Sequence, residues 1–328
     1  MSNRITNVEG STSALPFGKP MLGVVLSLFD GMSCGQIALN KTGISYGKYY
    51  ASEIDKHAIK VTQHNYPNTI QLGSVTDIKG TDLPQIDLLI GGSPCQGFSF
   101  SGKQLNFDDP RSKLFFEFVR LIKECKPKYW LLENVVMKKE FEQVITEHLG
   151  VEPVKINSAL VSAQNRERLY WANFPIEQPN DKGLKLIDIL EDTEMIGPSA
   201  IRGRRLNKAT ILDRRLNDKG KREDYNKEIP ITQCLEVRAT NRDKSNCLTT
   251  VAKDNVLTTM PIGRHPDAFK NNLPFRYYTI KEYCRLQTVP ENYFDGVASE
   301  NQIRKMLGNG WTVDVIAHIF RGLLNENL

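Results

Sequence analysis

A repeated unit dominates the first half of this chain: a short β-branched apolar run ends in a turn and passes into a stretch with helical spacing. Leu22 to Leu28 (LGVVLSL) is such a run, FDGMSCG breaks it, and QIALNKTG follows at helical spacing and closes on Gly43. GKYYASEID then ends in acids and leads into KHAIKVTQHNYPN, a helix predicted to stop near Pro67. Ile86 to Ile90 reads as a buried strand that runs directly into a Gly-Ser-Pro-Cys turn. Leu114, Phe115, Phe118, Leu121 and Ile122 form a helical stripe ended before Pro127, and KYWLLENV is the next strand. Strands alternating with helices predict an α/β fold on a parallel, doubly wound sheet.

After Phe174 the alternation fades into Pro, Asp and Gly and then into a basic segment. Residues 201–245 hold 13 Lys/Arg against 7 Asp/Glu, a surplus of six in a chain whose net charge is +5, so the remainder is close to neutral. A polyanionic partner is expected to meet the protein there. The division predicted is a flexible tail at 1–20, one domain from 21–175 plus 275–328, and a small second domain at 176–274. Near the end, TIKEYCRLQTVPENY and NQIRKMLGNGWTVDVIAHIFRGLL read as two helical segments returning to pack on the first domain. At 328 residues, 40% hydrophobic and 25% charged, the chain is an ordinary globular one. Its apolar runs fall short of the ~20 residues a membrane span needs, and the polar first twenty residues do not read as a secretory signal. Six cysteines at 34, 95, 125, 234, 247 and 284 lack paired spacing, which argues against a zinc site or a disulfide framework and for a reducing cytoplasm.

Parallel sheets of this kind bind ligands at the carboxyl ends of their strands. The first turn carries Gly31 and Gly35 spaced G-x-x-x-G, so the dinucleotide pattern G-x-G-x-x-G is missing. Glu53 ends the second strand roughly 20 residues on, where a carboxylate can accept from ribose hydroxyls or stand as a solvated strand end. Cys95, after Pro94, would project into the same crevice. Glu133 ends the next strand at the same edge. Gln164, Arg166 and Arg168 alternate, so in an extended strand all three would share one face. Singly these have bland readings as a helix cap or a surface strip; their convergence on one edge does not.

Taken in order, FDGMSCGQ, SEID, GGSPCQGFSFSG, ENV, QNRERLYW and GNGWTVDVIAHIF resemble the DNA (cytosine-5) methyltransferase family over about 21–174 and 275–328. The likeness is to its prokaryotic or phage type, with a GNGW motif similar to the de novo branch. It implies a Rossmann-like, S-adenosylmethionine-dependent methyltransferase sheet with an inserted target recognition domain, acting on double-stranded DNA. Carbon-5 of cytosine is too weak a nucleophile by itself, so the thiolate of Cys95 would add at carbon-6 and convert the ring to an enamine. Glu133 would supply a donor at N3 as a carboxyl kept partly protonated by its pocket. Arg168 would contact the base carbonyl and hold Glu133, with Arg166 and Gln164 as supports and Pro94 and Asn134 beside the catalytic pair. A lysine at 168 would lose the planar fork. The base must be flipped out of the duplex, and residues 96–112 resemble the loop that closes on DNA, with Ser99, Ser101 and Gln104 as contacts.

For the cofactor the resemblance implies Phe29 against the adenine or the methionine arm, Glu53 on the ribose and Ile54 against adenine. Leu114, Asn309 and Gly310 would lie near the methionine end, and the stretch Asp30, Gly31, Met32, Ser33 and Gly35 would complete the site with Val75, Gly92 and Pro94. Two positions depart from the family pattern. Ser74 stands where an Asp is common, with Asp77 three residues on, and Trp311 stands where many bacterial relatives carry a small residue, open to core packing or to cofactor contact. In the inserted region Arg202, Arg204, Arg205 and Arg238 are candidate DNA contacts, with a solvated charge cluster as the plain reading of IRGRR. SNCLTTV resembles the family motif that organises this region, which makes Thr249 and Thr250 structural. No metal is implied, a monomer on DNA is expected, and a cognate restriction endonuclease is the candidate protein partner, in a prokaryotic cell or a phage-infected host. The alternatives are a transfer-RNA methyltransferase of the same family, a silent DNA-binding member, which should lack Cys95, Glu133 or Arg168, and a nicotinamide dehydrogenase, which should carry G-x-G-x-x-G.

Overall fold

The computed structural model of the chain describes residues 21–93, 110–191, 207–219, 221–237, 243–266, 268 and 270–325. The first half alternates as the apolar pattern predicts: β1 (Met21–Leu28), α1 (Cys34–Thr42), β2 (Ser45–Ser52), α2 (Lys56–Asn65), β3 (Ile70–Gln71), β4 (Leu88–Gly91), α3 (Pro110–Cys125), β5 (Tyr129–Val135) and α4 (Lys139–Leu149). Then come β6 (Val154–Asn157), β7 (Glu167–Ala172) and the single turn α5 (Leu186–Ile189). Local chemistry sets the ends. Asp55 caps α2 by accepting from His57 N at 2.9 Å, and α1 and α4 stop at left-handed Gly43 and Gly150.

These strands form one seven-stranded sheet in the order β3, β2, β1, β4, β5, β7, β6. The pairs from β3 to β5 are parallel, but β7 runs antiparallel to both β5 and β6, so the sheet is mixed where the alternation predicts it all-parallel. The reason lies between β6 and β7, where there is only a three-residue helical turn, Ser158–Leu160. A parallel return needs a crossover of a dozen or more residues, usually a helix. The chain runs outward from β1 to β3 and returns to β4 on the other side of β1. That reversal opens a crevice at the carboxyl ends of β1 and β4.

Side chains alternate across the sheet. Val25, Leu88, Ile90, Leu131 and Tyr170 face one buried cluster, which also takes in α1 and the C-terminal helices. Leu26, Leu89, Leu132 and Trp171 face a second cluster with Phe115, Phe118 and Leu121 of α3 and Ile145 of α4. The C-terminal segment forms three helices where the spacing predicts two: α6 (Ile280–Gln287), α7 (Glu300–Asn309) and α8 (Val313–Asn325). The expected second segment breaks at Gly310, whose backbone is extended. α8 packs on α1, and its Ile316, Phe320 and Leu323 are fully buried, each contributing roughly 1.5–3 kcal/mol by leaving water.

A second, antiparallel sheet is built from β8 (Asn207–Arg215), β9 (Ile231–Val237), β10 (Val256–Thr258), β11 (Gly263–Pro266) and β12 (Phe275–Tyr277), in the order β11, β9, β8, β10, β12. Its own small core holds Ala209, Ile211, Leu235, Val237, Val256, Ala268 and Phe275. It is joined to its surroundings by a parallel bridge between Gln164, just before β7, and Ser245, and by a buried Arg276–Glu282 ion pair at 2.7 Å that links β12 to α6. Among the described residues no helix is long and apolar enough to cross a membrane.

Candidate active site

The turn after β1 is tightly wound, because Phe29, Gly31 and Ser33 all have left-handed backbone. Its centre is Asp30, whose carboxyl accepts from Ser33 Oγ at 2.6 Å and from Tyr49 OH at 2.8 Å. Burial pushes this carboxyl up to about 6, against the pull of the Ser33, Ser27 and Tyr49 hydroxyls. Ser33 itself is fully buried at the start of α1 and donates inward. Gly35 is a packing position: a Cβ there would lie 2.5 Å from Ile90 and 2.7 Å from the Tyr49 hydroxyl. Neither residue lines the cavity that the turn borders.

That cavity has a volume of about 420 Å³ and opens at the crevice between β1 and β4. Glu53, at the end of β2, accepts from Gly31 N at 2.7 Å through one oxygen and from Ile54 N and Asp55 N at 2.8 Å through the other. A carboxylate has about four acceptor positions, so three backbone amides fix its orientation and still leave it able to accept from a ligand. Ile54 is 78% exposed, an unusual state for so large an apolar residue, and lines the same cavity with Phe29, Met32, Val75 and Leu114. Ser74 also lines it and accepts from Thr76 N at 3.3 Å, whereas Asp77 lies in the open outside it. An apolar wall beside the amide-held Glu53 carboxylate fits an adenosine-bearing cofactor.

The other wall carries acid and base. Glu133, near the end of β5, is paired through Oε1 with Arg168 Nε at 3.0 Å and accepts through Oε2 from Trp311 Nε1 at 3.0 Å. Asn134 Nδ2 donates to Ser93 Oγ at 3.1 Å, which holds the end of β4 against β5. Gly92 lies flat on this arrangement, since a Cβ there would come within 2.9 Å of both Glu133 Oε2 and Trp311 Nε1.

Gln164, Arg166 and Arg168 do not share one strand face. β7 begins only at Glu167, and the two earlier residues are buried among loop carbonyls. Arg166 donates to Gly310 O at 2.9 Å and to Gly308 O and Leu248 O at 3.2 Å, with Cys247 Sγ at 3.2 Å. Four partners compensate a buried cation whose proton affinity is lowered, first by burial and then by Arg168. Gln164 donates to Leu286 O at 3.0 Å and accepts from Leu248 N at 2.7 Å, a brace set behind the cavity wall. Arg166 and Arg168 line the cavity, as do Asn309, Gly310 and Trp311; Gln164 does not. Thr249 accepts from Val251 N and donates to Asp254 at 2.6 Å, holding its loop together.

Pro94, Cys95, Ser99, Ser101, Gln104, Arg202, Arg204, Arg205, Arg238 and the 1–20 tail lie outside the described residues. Ser93, on the cavity wall beside Glu133 and Asn134, is two residues before Cys95. Residue spacing does not reveal Cys247, which touches Arg166 at 3.2 Å and lies 4.0 Å from Arg168, or the Gln287–Thr312–Ser158 chain behind Gly310. No local signal marks them, because each meets its partner across 25 to 154 residues of chain.

The model of the C-5 cytosine-specific DNA methylases matches residues 24–325, which include every residue of this wall. The chain belongs to that family. A type II methyltransferase of Lactococcus lactis subsp. cremoris, M1.ScrFI, is 31% identical over 327 residues, covering 92% of this chain and 77% of the relative. The orphan methyltransferase M.SPRI of Bacillus phage SPR is 38% identical over 162 residues, 44% of this chain and 36% of its own length. Among solved structures, the Entamoeba histolytica methyltransferase EhMeth superposes with a TM-score of 0.67 at 17% identity over 93% of this chain and 98% of that one, a likeness of fold. The mixed seven-stranded sheet is thus the fold this DNA methylase shares with known methyltransferases.

Proposed function

We propose that this DNA methylase transfers the methyl group of S-adenosylmethionine to carbon-5 of a flipped cytosine in double-stranded DNA, with Cys95 as the covalent nucleophile. The observation that carries this reading is one continuous cavity lined both by Glu53, Ile54 and Val75 and by the Glu133–Arg168 pair. The bound cofactor supplies an electrophilic methyl. The chain supplies the rest: the Cys95 thiolate adds at carbon-6, Glu133 hydrogen-bonds N3, and Arg168 steadies the carboxyl and the base carbonyl. Carbon-5 then takes the methyl, its proton leaves, and expulsion of the Cys95 thiolate restores the ring. Glu53, held by three backbone amides, accepts from the ribose hydroxyls, and Ile54 covers the adenine. The segment 176–274, with its basic surplus, reads the target sequence, and its exposed cations meet phosphates. The free thiols at 34, 125, 234, 247 and 284 suit a reducing cytoplasm.

Incubation with a duplex carrying 5-fluorocytosine tests the chemistry, since fluorine blocks the final elimination. The parent should form an adduct that survives denaturation, and Cys95→Ala should form none. A parent that neither forms the adduct nor takes up S-adenosylmethionine would overturn the reading.

A further inference from the structure

Trp311 lies in the short link between α7 and α8, and the link is aimed with care. Gly310 O accepts from Arg166 Nη2 at 2.9 Å and from Gln287 Nε2 at 3.1 Å, Thr312 Oγ1 donates to Gln287 Oε1 at 2.8 Å, and Ser158 Oγ donates to Thr312 at 2.9 Å. Burial pushes the Cys34 thiol up to about 12, so it remains a neutral S–H directed at the Trp311 carbonyl, 3.8 Å away. The indole that this network presents donates to Glu133 Oε2 at 3.0 Å, while Arg168 Nε holds Oε1 at 3.0 Å.

A glutamate carboxyl turns about a broad terminal torsion, so one donor alone leaves its plane free to swing. Two donors from separate elements, with Gly92 closing one side, remove that freedom. An indole N–H can only donate, which makes it an anchor for an acceptor in either protonation state of the acid. We propose that Trp311 is a positioning residue for methyl transfer, its indole N–H fixing the plane of the Glu133 carboxyl. This rests on the reading of Glu133 as the group that meets N3 of the base.

The test separates the N–H from the ring. Trp311→Phe keeps an aromatic wall and loses the donor; Trp311→His restores a ring nitrogen the same three bonds from Cβ. For Trp311→Phe, kcat should fall about tenfold to a hundredfold, the usual scale for a misaligned catalytic group, with KM for S-adenosylmethionine within about twofold of the parent. Trp311→His should recover a substantial part of kcat. Equal loss in both variants, or an unchanged kcat with a raised KM for the cofactor, overturns the proposal and leaves Trp311 as a wall. A second readout needs no turnover. In protein without DNA or cofactor, the indole ¹⁵N–¹H resonance of Trp311 should move when Glu133→Ala removes the acceptor, and an unmoved resonance also overturns the proposal. A parent that methylates no cytosine would fail the functional reading instead, while the resonance test would still stand.

Discussion

At Asp30 a carboxyl is buried at the edge of the cavity with, among the described residues, hydroxyl donors to meet its charge. Its affinity for a proton is raised from the ordinary 3.8 to about 6, so between those values the folded protein binds more proton than the unfolded chain. Stability from this group is therefore present at low pH and lost as pH climbs from about 4 through about 6, by about 3 kcal/mol in total. Asp30→Asn should abolish that slope: parent and variant melting temperatures, compared from pH 4.5 to 7, should diverge with the parent falling behind. A constant difference would show that Asp30 keeps its charge throughout. The residue scale also shows how far side chains can be read in advance. Glu133, Arg166 and Arg168 were legible because each belongs to a short run whose chemistry is recognisable. Trp311 was legible as a residue open to core packing or cofactor contact, but its bond to Glu133 was not, since that partner lies 178 positions away.

Among the elements, the βα units were legible because a buried parallel strand and an amphipathic helix have distinct periods. The β6–β7 reversal and the break between α7 and α8 were not, because connection length and loop packing decide them rather than periodicity. Gly308, at the end of α7, shows how close that packing is. A Cβ there would lie 2.4 Å from the Thr249 carbonyl and 2.7 Å from Thr250 N, backbone atoms that cannot swing aside. Gly308→Ala should cost roughly 1–3 kcal/mol in urea unfolding and, by shifting a carbonyl that Arg166 holds, lower methylation as well. An alanine variant as stable as the parent would mean the 247–250 loop yields freely.

For the whole molecule, the second sheet is fastened to neighbouring elements at a few buried polar points. The firmest is Arg276 on Glu282, a two-pronged pair at 2.7 and 2.8 Å in which the carboxylate is fully buried and also accepts from Thr279 N and Glu191 N. Removing one partner of such a pair typically costs about 3–5 kcal/mol, and the two extra amides place Arg276→Ala at the lower end. Chemical denaturation should register that loss, and a change below about 1 kcal/mol would show that the pair does not hold β12 to α6. The cavity is itself gathered from stretches far apart in the chain, around residues 30, 133, 168 and 310, with the second sheet threaded between the last two. Glu133 on β5 and Arg168 on β7 are neighbours in one sheet, whereas the indole joins them only where the helices after the second sheet pack back. Assembly of the wall is therefore tied to docking of the returning helices, and a substitution that loosens them is felt at Glu133 without touching it.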